Sequence, residues 1–210
     1  SVPEATGSVA DLSDDAATAA AFDAAERAMG LPDGLVAVAG GSARRFGDGP
    51  VDALTADAVR ATADLDLVTT LLALREFTAR RIAAAAPAPA AAVLIGSVLA
   101  RRPASPLFVT HAYAAMKAGI EGAARSAAAH YADRGITVNV VAPGLTRTPM
   151  ARRAQEDPEV SAYARRRQPL APGGFVDPAD VADACAWLLG AGAVTGQVIE
   201  VDGGWGVLGG

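Results

Sequence analysis

The sequence alternates short apolar runs with longer segments of helical period, and this alternation restricts the fold more than any other feature. A strand buried on both faces is a continuous apolar run, whereas an amphipathic helix repeats its apolar residues about every 3.6 positions. Their alternation predicts a doubly wound parallel sheet with helices on both faces, an α/β fold in three layers, α/β/α. The predicted strands are residues 35–39, 91–95, 136–142 and 195–202, and the predicted helices are residues 16–29, 58–86, 113–133 and 178–189.

Glycine, proline and capping residues mark where these segments begin and end. Gly30 stands just past the first predicted helix, where glycine is a favoured terminator. Asp177 and Pro178 supply a cap residue and a first-turn proline to the last helix. Residues 11–14 are interpreted as a strand end that leads into the cap of the first helix. Residues 146–174 are rich in Arg and Pro, and we expect them to be irregular or partly helical.

Composition and charge exclude several classes of function. The 210 residues are 51% hydrophobic and 20% charged, which fits a single domain over residues 1–210 with a buried core. A net charge of −5 argues against a nucleic-acid partner, because phosphate contacts need clustered Lys and Arg. The uncharged segment 82–100 is interrupted by Pro87, Pro89 and Gly96, so we predict no membrane span.

Two further patterns concern compartment and metal binding. Residues 1–26 are acidic and contain no Lys or Arg, which does not fit a secretory leader, so we expect a cytoplasmic protein. Cys185 is the single cysteine, which excludes an intrachain disulfide and any cysteine-rich metal spacing. We therefore predict no metal site.

Tyr113 and Lys117 are the residues with the most specific chemistry. They are four positions apart on a predicted helix, so both side chains project from the same face. An ammonium beside a phenol stabilises the phenolate, which predicts a pKa for Tyr113 that falls from about 10 toward neutrality. Such a tyrosine would serve as a general acid or base.

Over nearly its whole length the sequence resembles the short-chain dehydrogenase/reductase family. The motifs that carry this resemblance occur in the family's order and spacing. They are Asp11-Leu-Ser-Asp14, Ala37-Val-Ala-Gly40, Ser97, Tyr113-x3-Lys117, Asn139-Val-Val-Ala-Pro-Gly144 and Val201-Asp-Gly-Gly204. The resemblance implies a Rossmann-like sheet and an oxidoreductase that acts on a small carbonyl or alcohol substrate with NAD or NADP.

The resemblance also implies a role for individual residues. Tyr113 matches the catalytic acid/base, Ser97 matches the hydroxyl that bonds the substrate oxygen, and Lys117 matches the residue that lowers the phenol pKa and holds the nicotinamide ribose. Residues 147–174 match the family's mobile substrate lid. The positions that match cofactor-binding residues are Asp11, Gly40, Lys117, Pro143, Gly144 and Thr148.

Two departures from the family pattern concern the catalytic group. The family's Asn-Asn-Ala-Gly is Ala37-Val-Ala-Gly40 here. The asparagine that completes the family's catalytic tetrad aligns with Asp66, which we include among the catalytic positions. A carboxylate there would pair with Lys117, partly cancel its effect on Tyr113 and move the phenol pKa back upward.

A third departure concerns the cofactor. The family begins with a strand, a glycine-rich turn and a helix that hold the pyrophosphate, and this sequence begins near the family's third strand, so we interpret the fold as N-terminally truncated. Residues 5–13 are a poor substitute, because Asp11 and Ser13 stand where glycines belong and a carboxylate repels phosphate. The strand at 35–39 would then expose an edge or pair with residues 8–12.

The sequence leaves three hypotheses open. The first is an oxidoreductase whose missing dinucleotide site is supplied by a longer chain or another subunit. The second is a cofactor-independent acid/base enzyme, such as a cyclase, isomerase or dehydratase. The third is a non-catalytic partner of an intact family member. We expect a homo-oligomer (dimer or tetramer) or such a hetero-oligomer, formed through the two long helices.

Overall fold

The computed structural model describes residues 5–85 and 89–208, and four parallel strands form its centre. The strands lie in the order β1-β2-β3-β4. Their bounds are β1 Gly34–Ala37, β2 Ala90–Ile95, β3 Ile136–Pro143 and β4 Val198–Val201. The helices are α1 Asp15–Met29, α2 Ala56–Ala63, α3 Thr69–Ala83, α4 His111–Tyr131, α5 Arg152–Glu156, α6 Pro158–Arg167 and α7 Pro178–Gly190.

The sheet is buried on both faces, as the sequence predicts. In β2, Ala92 and Leu94 point to one face while Val93 points to the other. On the first face they join α3 and α4 residues such as Phe77 and Ile120 in the larger core. On the second face Val93 packs with residues of α7. These two helix layers confirm the predicted α/β fold with three layers, α/β/α.

Local signals explain where the helices begin. Asp14 accepts a hydrogen bond from the Ala17 amide at 2.7 Å, so the predicted cap of α1 is confirmed. Asp177 likewise accepts from the Ala179 amide at 2.9 Å, with Pro178 in the first turn. The predicted bounds of the second helix differ from those observed: it begins at Ala56 and ends at Ala83, and the predicted last residue, Ala86, lies outside the described residues.

The predicted bounds of two strands were wrong, and residues 11–14 are not the end of a strand. The strand predicted over 35–39 is Gly34–Ala37, and the one predicted over 195–202 is shorter, Val198–Val201. Residues 5–14 contain no strand, so residues 8–12 do not pair with β1. Among the described residues β1 is hydrogen-bonded to β2 alone, and its other edge has no strand partner.

The described residues contain neither a membrane-spanning helix nor a cluster of metal ligands. None of their helices combines the length and the apolar character that a membrane crossing requires. Residues 5–85 and 89–208 also contain no group of three or more His, Cys, Asp or Glu side chains arranged to hold a metal ion.

Candidate active site

A cavity of about 750 Å³ opens where the carboxyl ends of the parallel strands meet. This edge of a parallel sheet is where ligands bind in open α/β folds. Residues just after β1, β2 and β3 form its floor, and α4, α7 and residues 148–154 form its walls. The sequence-predicted residues that line it are Gly40, Ser97, Tyr113, Lys117, Pro143, Gly144 and Thr148.

Tyr113 and Ser97 meet in this cavity. Ser97 follows β2 and is 7% exposed, and Tyr113 lies in the first turn of α4 with its side chain half-buried. Burial raises the pKa of the Tyr113 phenol to about 12, although a hydrogen bond with the Ser97 hydroxyl opposes that rise. The expectation of a pKa near neutrality was therefore wrong. Asp66 adds to the increase, as its negative charge predicts.

Lys117 and Asp66 form a buried ion pair below the phenol. The Lys117 ammonium lies 3.2 Å from Asp66 Oδ1, donates to the Ile95 carbonyl at 3.0 Å and stands 5.6 Å from the centroid of the Tyr113 ring. Lys117 is 3% exposed and Asp66 is fully buried. Burial lowers the pKa of Lys117 and raises the pKa of Asp66, in each case against the attraction of the partner. The predicted pairing of these two charges is confirmed.

A π-helical turn between α2 and α3, Asp64–Val68, directs Asp66 into the interior. A wider turn of this kind shifts the direction of the side chains that follow it and is frequent at functional sites. Thr70 stabilises the turn, because its hydroxyl donates to the Asp66 carbonyl at 2.8 Å. Asp66 Oδ2 is buried and has no hydrogen-bond partner among the described residues. Asp64, one of the neighbouring acids, is exposed.

Glycine is required at position 40 because the chain passes directly over this ion pair. Gly40 has φ 150°, and a Cβ there would lie 2.6 Å from Asp66 Oδ1 and 3.2 Å from Lys117 Nζ. The next residue, Gly41, donates its amide to Asp66 Oδ1 at 2.9 Å. The carboxylate therefore links the loop after β1 to Lys117 of α4.

The residue that caps α4 was not predicted from the sequence. Thr110, the residue before the helix, makes no side-chain capping bond. Instead Asp48, which is 5% exposed, accepts from the Ala112 and Tyr113 amides, each at 3.0 Å. A carboxylate at a helix N-terminus satisfies free amides and matches the helix dipole. Asp48 therefore fixes the turn that carries Tyr113.

Gln168 is a second residue that sequence reasoning missed. It is fully buried; its Oε1 accepts from the Leu145 amide at 2.7 Å, and its Nε2 donates to the Leu145 and Gly174 carbonyls at 3.0 and 2.8 Å. A Cβ on Gly144 would lie 2.1 Å from Gln168 Oε1, so only glycine fits there. The glutamine thus holds the Gly144–Leu145 turn against the predicted lid.

The remaining predicted positions fall into two groups. Pro143, Gly144 and Thr148 border the cavity at the end of β3. Asp11 lies apart from it: the side chain is exposed and accepts only from Ser13, from the amide at 2.9 Å and the hydroxyl at 2.6 Å. None of residues 5–13 lines the cavity. The structure therefore brings together every predicted site residue except Asp11.

The fold and this group of residues define a class of α/β proteins with a Ser-Tyr-Lys site at the carboxyl edge of a parallel sheet. A family model described as enoyl-(acyl carrier protein) reductase matches residues 1–206. The chain belongs to the short-chain dehydrogenase/reductase family of oxidoreductases.

Three related proteins illustrate the range of the family. The 3beta-hydroxysteroid dehydrogenase 1 of Eggerthella lenta is 47% identical over 95 residues, which are 44% of this chain and 35% of that protein. The cis-4-hydroxycyclohexanecarboxylate dehydrogenase of Sinomonas cyclohexanicum is 35% identical over 197 residues, covering 93% of this chain and 74% of that protein. A structure of gluconate 5-dehydrogenase from Burkholderia cenocepacia in complex with NADP and tartrate has a TM-score of 0.83 at 26% identity. The match covers 95% of this chain and 74% of that chain. The first of these matches spans only about a third of the relative's length.

The residues around the cavity fit one end of a nicotinamide dinucleotide. Two of the three Lys117 N–H groups are directed to Ile95 and Asp66, which leaves one for a ribose hydroxyl. Gly40 and Gly144 line the cavity without adding side chains of their own to its wall. None of residues 5–13 lines it. The Lys117 ammonium and the turn after β3 therefore fit the nicotinamide end of the dinucleotide.

Proposed function

We propose that this protein is an oxidoreductase that interconverts an alcohol and a carbonyl group, with Tyr113 as the acid/base. The hydrogen bond between Ser97 and Tyr113 inside the cavity carries the proposal. A substrate oxygen bound between these two hydroxyls would accept the phenol proton in reduction and return it in oxidation. The relatives named above are dehydrogenases of hydroxy compounds by their names, which favours a small alcohol or ketone substrate.

A nicotinamide cofactor, NAD or NADP, would be held at its nicotinamide end by Lys117 and the segment from Pro143 to Thr148, with Gly40 beside the adenosine ribose by family resemblance. When bound, it supplies the hydride for reduction, which no amino-acid side chain can donate. Lys117 would bind the ribose with its remaining N–H. Asp11 is assigned to the adenine end by family resemblance alone.

Protonation of the phenol affects how readily the site can run each direction. Because the pKa of Tyr113 is raised to about 12, the group is protonated near neutral pH and ready to donate to a carbonyl oxygen. Oxidation of an alcohol needs the phenolate, which becomes more abundant as pH rises. We therefore propose that reduction is the more efficient direction at neutral pH.

A cofactor-independent acid/base enzyme is the second candidate, and the shape of the cavity favours it. The cavity extends between β1 and α7 over Val36, Val181 and Leu189, an apolar surface that would accept a larger ligand than a nicotinamide ring alone. In such an enzyme Tyr113 would move a proton without any hydride transfer. A cyclase, isomerase or dehydratase needs proton transfer of this kind and no hydride transfer.

Assembly is a separate proposal. Helices α2 and α3 carry three exposed apolar residues, Val59, Leu71 and Ile82, whose exposed fractions are 36%, 37% and 41%. A homo-oligomer, or a hetero-oligomer with an intact family member, would cover such residues at a helix interface. Sedimentation at micromolar concentration should then report a dimer or tetramer, and a monomer would count against self-association.

Turnover tests the proposed function directly. The protein is mixed with NADH or NADPH and a panel of ketones and hydroxyketones, and oxidation of the nucleotide is followed. Tyr113→Phe should lower kcat/KM by about 10²- to 10⁴-fold, the usual contribution of general acid/base catalysis. Tyr131→Phe, at the end of the same helix, is the matched control and should retain activity.

Each outcome of this test has a distinct meaning. Equal activity of Tyr113→Phe and wild type would exclude Tyr113 as the proton donor. Failure of both nucleotides to bind by calorimetry at millimolar concentration would exclude the oxidoreductase for this chain. Conversion of a substrate without nucleotide, lost in Tyr113→Phe, would select the cofactor-independent enzyme.

A further inference from the structure

The charged side chains that line the cavity are all cationic. They are Arg44, Lys117 and Arg153, and no Asp or Glu is among the lining residues that the structure describes. Lys117 is neutralised by Asp66 at 3.2 Å. The two arginines are therefore the charges that a ligand in the cavity would encounter.

Arg44 and Arg153 stand on two segments that meet at the rim. Arg44 lies in the loop after β1, and Arg153 lies in α5, in the region predicted to be a lid. The loop and the lid are in contact, because a Cβ on Gly41 would lie 2.8 Å from Met150 Cε. Both arginines line the same cavity, and the charge of Arg153 acts on Arg44.

Neither guanidinium has a partner of opposite charge within residues 5–85 and 89–208. Other arginines do: Arg80 pairs with Glu26 at 2.8 Å, and Arg101 with Glu121 at 2.6 Å. Asp48 is the carboxylate that acts on Arg44, but both of its oxygens accept amides of α4. Both arginines are exposed at the surface, and only partial desolvation, followed by the charge of Arg153, lowers the pKa of Arg44. The second cause means that the two cations repel each other.

We propose that Arg44 and Arg153 form a binding site for an oxyanion, a carboxylate or a phosphate, on the ligand that enters the cavity. Guanidinium groups bind these anions through paired hydrogen bonds, and an anion between two cations removes their mutual repulsion. This site would give the proposed active site an anionic class of ligand. The inference rests on the proposed function because the cavity is the same, but binding of an anion can be measured without turnover. A neutral alcohol or ketone would leave both charges unmatched.

The oxyanion has two possible sources with the same chemistry. One is an acidic group on the substrate, so that Tyr113 acts on a hydroxy or keto acid or a phosphorylated compound. The other is a phosphate of the dinucleotide. Competition distinguishes them, because a substrate anion would bind beside a saturating nucleotide and a cofactor phosphate would not.

The test measures binding of tartrate and inorganic pyrophosphate to the full chain by calorimetry at low ionic strength. The variant is Arg44→Gln combined with Arg153→Gln. The matched control is Arg45→Gln combined with Arg152→Gln, which removes the same charge from adjacent exposed positions outside the cavity lining. Thermal melting establishes that both variants are folded.

The variant with Arg44→Gln and Arg153→Gln should bind at least one probe about tenfold more weakly, or weaker still, because two charge-assisted contacts are lost. The control with Arg45→Gln and Arg152→Gln should change the affinity by less than about threefold. An equal loss in both variants would overturn the site, since net charge alone would explain binding. Absence of binding to the wild type at millimolar probe would overturn it as well. Because no step needs catalysis, failure here is distinguishable from an inactive Tyr113. Tartrate binding that persists with saturating NADPH assigns the site to substrate, and displacement assigns it to the dinucleotide.

Discussion

The surroundings of Tyr113 and of Asp11 are built in different ways. Around Tyr113, buried polar contacts join distant parts of the chain: Asp66 bonds Gly41 across 25 positions, and Asp48 bonds Tyr113 across 65. The Asp11 carboxylate is outside the cavity lining and bonds only Ser13, two positions away. Tyr113 is therefore positioned by contacts from distant segments, whereas the Asp11 side chain is held by a local turn.

The largest effect is expected from Gly40→Ala, which changes the loop above the Asp66–Lys117 ion pair. The new Cβ would meet Asp66 Oδ1 at 2.6 Å in a backbone conformation that side chains rarely adopt. We expect a loss of about 2–4 kcal/mol in the free energy of unfolding, measured by urea denaturation.

Gly49→Ala is the matched control for this change. Gly49 lies in the same loop, and a Cβ there has nothing within 4 Å. Its unfolding free energy should change by less than about 0.5 kcal/mol. Equal losses in the two variants would mean that the loop, and not the ion pair beneath Gly40, determines the cost.

Asp48→Ala is the next largest change. It removes two hydrogen bonds of 3.0 Å from the N-terminus of α4, and we expect a loss of about 1–2 kcal/mol in unfolding free energy. Asp52→Ala, at an exposed acid in the same loop, should cost little. If the two variants were equally stable, the capping role of Asp48 would be wrong.

The smallest effect is expected at Asp11, outside the cavity. Asp11→Asn changes an exposed side chain that contacts only Ser13, so the unfolding free energy should shift by less than about 0.5 kcal/mol. A thermal melt of this variant beside Asp48→Ala sharpens the comparison. A loss at Asp11 as large as that at Asp48 would show that the segment before α1 supports the fold after all.

The sequence predicted the parts of the molecule that local pattern controls. The apolar runs located all four strands, and the caps at Asp14 and Asp177 located two helix starts within one residue. The Tyr113 and Lys117 spacing placed both side chains on one helix face. Errors of two or three residues occurred at strand ends, because an apolar run such as 35–39 continues past the last hydrogen-bonded pair.

Contacts between distant segments explain what the sequence did not predict. In the sequence, Asp48 is an ordinary loop acid, and only the fold places it at the N-terminus of α4. Gln168 likewise lies in no sequence pattern that distinguishes it from a surface residue. The pKa of Tyr113 was predicted in the wrong direction because its burial is not visible in a spacing of four residues. The charge of Asp66, by contrast, did predict the pairing with Lys117.

Tyr113 also links pH to stability in a defined window. Its pKa is raised from 10.0 in the unfolded chain to about 12 in the folded protein, so the folded state holds its proton more tightly. This contribution to stability is fully present below about pH 10 and is lost as pH rises toward 12. Wild type should therefore lose stability more steeply than Tyr113→Phe above pH 10 in urea denaturation.

Ionisation of this phenol tests the account most directly. The ultraviolet phenolate absorption of wild type minus that of Tyr113→Phe isolates one group, because Tyr131 and Tyr163 are common to both proteins. At pH 10 we predict that Tyr113 is still mainly protonated, and that Asp66→Asn, but not Asp64→Asn, moves its ionisation to lower pH. Half-ionisation of Tyr113 at or below pH 10 in wild type, or no response to Asp66→Asn, would contradict the account.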